Sequence, residues 1–185
     1  MCRYLFLGDS ITQFWQHEGD RTWQRLFAEH AVNLGVSGET TYDVLARIRS
    51  VRFGTYSPAA VLLLIGANDL LMGGNPATIV KNIESILSEL RHRFQGAAIV
   101  LHGVLPLAGS RDYARAAAVR VNQMLQQVAA RERIRWFSPW DHFVEKDGEI
   151  PRALMPDGVH LTAAAYEMWG ELLAPVMGAA ADRVP

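Results

Sequence analysis

Short apolar runs alternate along the chain with longer segments in which apolar residues recur every three or four positions. The runs occupy Tyr4–Leu7, Ala31–Leu34, Ala59–Ile65, Ala98–Leu101 and Ile134–Phe137. Within a run the apolar residues do not alternate with polar ones, which is typical of parallel strands covered on both faces. The pattern therefore predicts five buried strands.

The segments between these runs have helical periodicity. The clearest one begins with Asn75 as its N-cap and Pro76 in the first helical position, and it extends to about Phe94. Its apolar stripe consists of Ile79, Ile83, Leu87, Leu90 and Phe94. The same periodicity predicts helices at Thr22–Glu29, Thr41–Arg49, Tyr113–Arg131 and Thr162–Met177, with Thr162 as the cap of the last.

This alternation of strand and helix predicts an α/β fold. We expect a three-layer α/β/α sandwich with a five-stranded parallel sheet and right-handed crossovers. The 185 residues are enough for one core, and neither a linker nor a repeat interrupts them. The prediction is a single domain over residues 1–185, in which residues 178–185 form a frayed tail.

Composition excludes several classes of function. The formal net charge is −1, and no run of Lys and Arg is dense enough to follow a phosphate backbone, so we expect no nucleic-acid partner. Cys2 is the only cysteine, which excludes an intrachain disulfide and a Cys-rich metal site. No stretch approaches the roughly 20 apolar residues of a membrane span, and no signal-peptide core is present, so a cytoplasmic protein is expected.

Polar residues that suit acyl transfer follow the predicted strands. Parallel sheets bind ligands at the carboxyl ends of their strands, where the connecting loops converge. Ser10 follows the first strand, Gly38 the second and Asn68 the third, while Asp157 and His160 lie in the loop before the last helix. We predict that these five residues share one rim of the sheet.

Each of the five residues has a role in that chemistry. Ser10 would be the nucleophile and His160 the base that takes its proton. Asp157, three residues before His160, can reach the other ring nitrogen and hold the useful tautomer. The backbone N–H groups of Ser10 and Gly38 and the side-chain amide of Asn68 would form the oxyanion hole.

Taken singly, each residue has a simpler interpretation. Ser10 can cap a helix, Gly38 can serve a turn, the pair Asn68-Asp69 can cap the next turn, and Asp157 and His160 can belong to a surface turn. Their joint occurrence in separate loops favours catalysis.

Asp141-His142 is a rival dyad, although neighbours on an extended chain point apart, and His102 either lines the pocket or has a structural role. The Gly-x-Ser-x-Gly elbow, the P-loop, the Gly-x-Gly-x-x-Gly fingerprint and zinc-site spacings are missing from the sequence.

The blocks "GDS", "NLGVSGETT", "GAND" and "DGVHL" resemble, in order, those of the SGNH (GDSL) hydrolases. "TWQRLF", "GVLP" and "RVNQML" are most similar to the branch that contains the catalytic subunits of intracellular platelet-activating factor acetylhydrolase and bacterial relatives. Ile11 replaces the Leu of the family name. The resemblance implies a flavodoxin-like sheet, a triad of Ser10, His160 and Asp157, and an oxyanion hole from Ser10, Gly38 and Asn68. It further implies esterase, lipase or thioesterase activity without a metal or cofactor, and pairing in relatives leaves a homodimer open.

The predicted function is a serine esterase that cleaves small-molecule carboxylic esters of acetyl size through an acyl-enzyme. The short chain shows no inserted lid, which favours an open, shallow site. Asp9 is one candidate substrate-binding residue. The others are apolar, and each could equally belong to the core: Trp15, Leu70, Met72, Val104, Leu105 and Val159. Two alternatives stay open: a thioesterase or lysophospholipase for longer acyl chains, and a non-catalytic flavodoxin-like binding or phospho-receiver module.

Overall fold

The computed structural model describes residues 2–50, 56–107 and 112–182. Five strands form one sheet: β1 (Tyr4–Gly8), β2 (Ala31–Gly35), β3 (Ala60–Leu64), β4 (Ala98–His102) and β5 (Arg135–Phe137). Each strand lies within one residue of its predicted bounds at both ends. The apolar runs alone were therefore sufficient to locate the sheet.

The helices are α1 (Ser10–Gln13), α2 (Asp20–Leu26), α3 (Thr41–Ser50), α4 (Ala67–Leu71), α5 (Pro76–Arg93), α6 (Asp112–Glu132), α7 (Trp140–Phe143) and α8 (Ala163–Ala181), with a 3-10 turn at Phe14–Gln16. The five long helices were predicted, and the side chains of Asn75 and Thr162 cap α5 and α8 as expected. The short helices α1, α4 and α7 were not predicted, because four or five residues are too few to show a period.

The last helix is longer than predicted. It ends at Ala181 rather than at Met177, because Ala180 and Ala181 are buried and continue its packing face. The remainder of the predicted frayed tail, residues 183–185, lies outside the described residues. In the parts of the chain that the structure describes, no helix is both long and apolar enough to cross a membrane.

The sheet has the order β2-β1-β3-β4-β5, and every neighbouring pair is parallel. Helix α2 packs against α8 on one face, while α3, α5 and α6 pack in succession on the other. This is the predicted three-layer α/β/α sandwich. Its central strand β3 is buried at all five positions, as a strand covered on both faces must be.

The strand order places a topological switch between β1 and β3. From β1 the chain moves outward to β2, then returns across β1 to continue through β3, β4 and β5. In open α/β sheets the loops on either side of such a switch separate and leave a crevice at the carboxyl ends of the strands. The segments that follow β1, β2 and β3 all leave the sheet at this crevice.

Candidate active site

Helix α1 packs directly on the carboxyl ends of the two strands beside it. A Cβ atom at Gly8 would lie 2.2 Å from both the Leu64 carbonyl oxygen and Thr12 Oγ1, and one at Gly35 would lie 2.3 Å from the Gln13 nitrogen. Only glycine permits this close approach at both positions. The two glycines thereby set the position of α1, whose first residue is Ser10.

Ser10 does not cap the helix that it begins. The N-cap is Asp9, whose Oδ1 accepts a hydrogen bond from the Ile11 N–H at 3.0 Å. The Ser10 hydroxyl is therefore available for another partner, and its Oγ lies 3.0 Å from Nε2 of His160. The structure thus brings together two side chains that are 150 residues apart in the sequence.

Asp157 and His160 form a tight turn before α8. One carboxylate oxygen of Asp157 accepts the backbone N–H groups of Val159 and His160 at 2.8 and 2.7 Å. The other oxygen lies 2.6 Å from Nδ1 of the His160 ring. Asp157 therefore makes both kinds of contact considered from the sequence: one oxygen binds the backbone of the turn, and the other contacts the His160 ring.

The turn also sets the charge of Asp157. Its partial burial raises the pKa, but the hydrogen bonds from the backbone and ring of His160 and from the Val159 N–H more than compensate and lower the pKa to about 2. A carboxylate at Nδ1 favours the tautomer with the proton on that nitrogen, which leaves Nε2 as an acceptor for the Ser10 hydroxyl. The ring is further held by Phe14, whose centroid lies 5.1 Å away.

Residues 36–40, which we call the Gly38 loop, follow β2 and lie beside α4. Gly38 has a φ of +81°, in the left-handed region that favours glycine. Asn68, in the first turn of α4, donates its side-chain Nδ2 to the backbone carbonyl of Glu39 at 2.8 Å. The structure therefore places Asn68 against the Gly38 loop.

The base of the Gly38 loop is fixed by the neighbour of Asn68. Asp69 accepts the backbone N–H of Thr41 at 2.9 Å and its hydroxyl at 2.5 Å. Asn82 of α5 donates to the same hydroxyl at 3.0 Å. In the part of the chain that the structure describes, the side chains of Asn68 and Asp69 therefore do not cap the next turn. Both bind the segment that follows β2.

Most of the predicted substrate-binding residues lie in the core. Asp9, Trp15, Leu70, Val104 and Leu105 are at most 1% exposed, so their side chains offer a substrate no surface in this structure. Trp15 is the clearest correction, because the 3-10 turn directs it inward among the rings of Trp23, Phe27, Tyr166 and Trp169. Met72 is instead 73% exposed. Val159, buried beside His160, stays a prediction.

The other histidine candidates are separate from Ser10. His102 is buried between Phe137 and Trp169, and its Nδ1 lies 2.5 Å from the Gly103 carbonyl. Burial lowers the pKa of His102 to about 4, so the ring is neutral and structural. Across the described residues, no hydrogen bond or ion pair joins Asp141 to His142 (both exposed), which leaves the rival dyad without its defining contact.

A second unusual carboxyl group lies next to the nucleophile. Burial raises the pKa of Asp9 to about 7, and the Asp69 carboxylate adds to the rise, while the Ile11 N–H and His160 oppose it. Oδ2 of Asp9 is buried and has no hydrogen-bond partner among the described residues. Asp9 therefore titrates close to neutral pH directly beside Ser10.

Sequence reasoning missed Gln13, Glu39 and Arg47, which hold the Gly38 loop from both sides. Glu39 lies within the block NLGVSGETT, but nothing in that block indicates its contact with Arg47, and Gln13 and Arg47 lie outside the quoted blocks. The assembled site contains a hydroxyl, an imidazole, a carboxylate and an amide donor on one rim. Within the described residues, no cluster of three or more His, Cys, Asp or Glu side chains is arranged to hold a metal ion.

Comparison with known proteins agrees with this chemistry. The model of the GDSL-like lipase/acylhydrolase family matches residues 6–168, from within β1 into the first part of α8. Fold and family together define the protein as a carboxylic ester hydrolase. The chain belongs to the GDSL-like lipase/acylhydrolase family.

Individual relatives support the same assignment. The chain is 29% identical over 164 residues to the human platelet-activating factor acetylhydrolase IB subunit alpha2, covering 88% of this chain and 70% of the relative. A GDSL-like lipase from Bacteroides thetaiotaomicron superimposes with a TM-score of 0.83 at 24% identity, over 96% of this chain and 88% of that one. Est24, a carbohydrate acetylesterase from Sinorhizobium meliloti, superimposes with a TM-score of 0.72 at 16% identity, over 97% of this chain and 99% of that one. Both structural likenesses show the fold.

Proposed function

We propose that this hydrolase is a serine esterase that cleaves esters of small acyl groups through an acyl-enzyme on Ser10. The observation that carries the proposal is the continuous chain from the Ser10 hydroxyl through the His160 ring to the Asp157 carboxylate, at 3.0 and 2.6 Å. These are the distances over which a general base takes a proton from a nucleophile. Ser10 is buried, which keeps its hydroxyl oriented, whereas the His160 side chain beside it is more exposed and leaves the site accessible to a substrate.

In the proposed mechanism, Ser10 Oγ attacks the ester carbonyl as Nε2 of His160 takes its proton. The carbonyl oxygen becomes an oxyanion that accepts hydrogen bonds from the Ser10 and Gly38 N–H groups and from Asn68. The tetrahedral intermediate collapses, the C–O bond to the alcohol breaks, and His160 returns the proton to that alcohol. Water then repeats the cycle on the acyl-enzyme, while Asp157 stays ionised and stabilises the imidazolium.

The preference for a small acyl group rests on exposure and on relatives. The His160 side chain is 38% exposed and that of Asp157 is 53% exposed, which describes an open rim rather than a deep channel. The relatives named above include an acetylhydrolase subunit and an acetylesterase. Both names refer to acetyl groups, although their alcohols differ. We therefore propose acetyl-sized acyl groups and leave the alcohol unassigned.

The test is hydrolysis of p-nitrophenyl esters from acetate to decanoate by the wild type and by Ser10→Ala. Activity that peaks at acetate and disappears in the variant supports both parts of the proposal. Activity that rises with chain length and disappears in the variant replaces the acetyl preference with the longer-chain thioesterase or lysophospholipase alternative. Equal activity of the two proteins would refute the role of Ser10.

A further inference from the structure

The Gly38 loop is tied to its surroundings on both sides of Gly38. On one side, the backbone N–H and the hydroxyl of Ser37 both donate to the side-chain Oε1 of Gln13, at 2.7 and 2.6 Å. On the other side, the carbonyl of Glu39 accepts from Asn68 at 2.8 Å. Gln13 belongs to α1, the helix that Ser10 begins, so one tie connects the loop to the helix of the nucleophile.

The Glu39 side chain makes the strongest of these connections. Arg47 of α3 donates through Nε to one carboxylate oxygen and through Nη2 to the other, both at 2.7 Å. The same Nη2 also donates to the Leu34 carbonyl near the end of β2, at 2.9 Å. The Arg47 and Glu39 side chains are only 20% and 11% exposed, so water screens this pair less than a surface pair.

Gly38 itself contributes nothing that would fix its orientation. A Cβ built at Gly38 meets no atom of the described residues within 4 Å, so no side-chain packing holds this residue, whose φ is +81°. Glycine in such a position can rotate its peptide at low cost. The direction of the Gly38 N–H is therefore set by the anchored residues on either side of it.

We propose that Arg47 and Glu39 are positioning residues for acyl transfer, because their two-point ion pair holds the Gly38 N–H in the direction required for the oxyanion. The inference rests on the proposed function. Neither residue is assigned a contact with substrate. Their action is transmitted along the backbone from the residue that follows Gly38: Arg47 holds the Glu39 side chain and Asn68 holds the Glu39 carbonyl. The contact between Gln13 and Ser37 holds the residue that precedes Gly38.

Geometry distinguishes this role from a general contribution to stability. The planar guanidinium fixes both oxygens of Glu39, whereas a lysine would supply the charge through a single point. Arg47→Lys therefore keeps the attraction but loses the alignment. Arg49, two residues further along α3, is a matched control: it also forms an ion pair, with Glu89 at 2.8 Å, but its side chain is 57% exposed and the pair does not include the Gly38 loop.

The experiment compares Arg47→Met, Arg47→Lys and Glu39→Gln with Arg49→Met and Ser10→Ala, using p-nitrophenyl acetate and methylboronic acid, which forms a tetrahedral adduct on a reactive serine. We expect Arg47→Met and Glu39→Gln to lower kcat by about 10 to 100-fold, because a misdirected donor loses most of its value. KM should change by less than about threefold, since the ground-state ester uses the oxyanion hole weakly. Inhibition by the boronic acid should weaken by the same factor as kcat.

The outcomes separate the two proposals. If the wild type hydrolyses the ester, Ser10→Ala does not, and Arg47→Met matches Arg49→Met in kcat and boronate affinity, the positioning role is wrong and the proposed function stands. A restored kcat in Arg47→Lys would also overturn it, since that result requires only charge. Circular dichroism establishes whether each variant is folded. If Arg47→Met does not fold, the comparison of Glu39→Gln with Arg49→Met decides whether the positioning role is correct. Ester hydrolysis that persists in Ser10→Ala would instead refute the proposed function.

Discussion

The side-chain Nδ2 of Asn68 donates to the backbone carbonyl of Glu39 at 2.8 Å, so one of its two amide protons is already in use. This contact fixes which way the amide faces, because only the nitrogen can pair with a carbonyl oxygen. The second proton remains for an oxyanion. A single side chain therefore has two functions in the proposed mechanism: it holds the Gly38 loop and supplies one of the donors.

Asn68→Ala should lower kcat by roughly 10² to 10³-fold, because it removes an oxyanion donor together with a tether of the loop. Asn68→Asp should be at least as severe, since a carboxylate cannot donate and repels both the Glu39 carbonyl and the oxyanion. Steady-state hydrolysis of p-nitrophenyl acetate measures both variants. Asn75→Ala is the control, because Asn75 caps α5 and its loss should reduce stability without changing kcat. Wild-type kcat in Asn68→Ala would remove Asn68 from the oxyanion hole.

Asp157→Asn should leave a folded protein with about 10⁴-fold lower kcat, the effect expected when the base is held in the wrong tautomer. The pKa of Asp157 is lowered to about 2, so the wild-type residue stays charged through the entire working range of a histidine base. We therefore expect no contribution from Asp157 to the pH profile of kcat above about pH 4. Asp141→Asn, beside the exposed His142, should retain full activity. The rival dyad would be favoured if the two variants exchanged these results.

Asp9 should make the protein less stable as the pH rises from about 4 to about 7. Burial raises the pKa of Asp9 to about 7, from 3.8 in the unfolded chain. Between these values the folded state keeps a proton that the unfolded state has released, so the free energy of unfolding falls with increasing pH. The fall is complete above about pH 7 and amounts to roughly 4 kcal/mol at most.

Asp9→Asn should remove this dependence, because asparagine can still cap α1 through its oxygen and carries no charge. Urea unfolding at pH 5, 6, 7 and 8 gives the free energy of unfolding of the wild type and of Asp9→Asn. The informative quantity is the difference between these two free energies at each pH. His102 contributes with the opposite sign: its pKa is lowered to about 4, so stability is lost as the pH falls below about 6.5, and this loss cancels in the difference. Parallel curves for the two proteins would mean that Asp9 is ionised throughout.

Two glycines at the site should respond differently to alanine. A Cβ at Gly8 would meet the Leu64 backbone oxygen and Thr12 Oγ1 at 2.2 Å, so Gly8→Ala must displace α1 and should lose at least about 3 kcal/mol of stability. A Cβ at Gly38 has free space among the described residues, and only the φ of +81° opposes it, at about 1 kcal/mol. Gly38→Ala should therefore fold normally and lose activity. Thermal unfolding and kcat of the two variants test this contrast. Comparable stabilities of Gly8→Ala and Gly38→Ala would contradict it.

The sequence was most informative where a proposed role follows directly from position along the chain. Ser10, Gly38 and Asn68 each come just after an apolar run, so locating the strands also located the rim. Trp15 was a candidate for the pocket with the core as its alternative, and the structure favours the core, because a 3-10 turn directs its ring inward. Pairs such as Glu39 and Arg47 leave no local signal, since a bidentate contact depends on how α3 packs after the loop.

Val159 is a candidate for acyl-chain selection, since it precedes His160 and is 6% exposed. Val159→Ala should enlarge the space beside the proposed base and raise the ratio of butyrate to acetate hydrolysis, because one methylene in an apolar pocket changes specificity by roughly 10-fold or more. Val128 of α6 is a matched buried valine, 3% exposed, and Val128→Ala should cost similar stability without altering the ratio. Hydrolysis of p-nitrophenyl acetate and butyrate by both variants decides the point. If the ratio is the same in the two variants, the Val159 side chain does not contact the acyl group, and selection for small acyl groups must come from other residues of the rim.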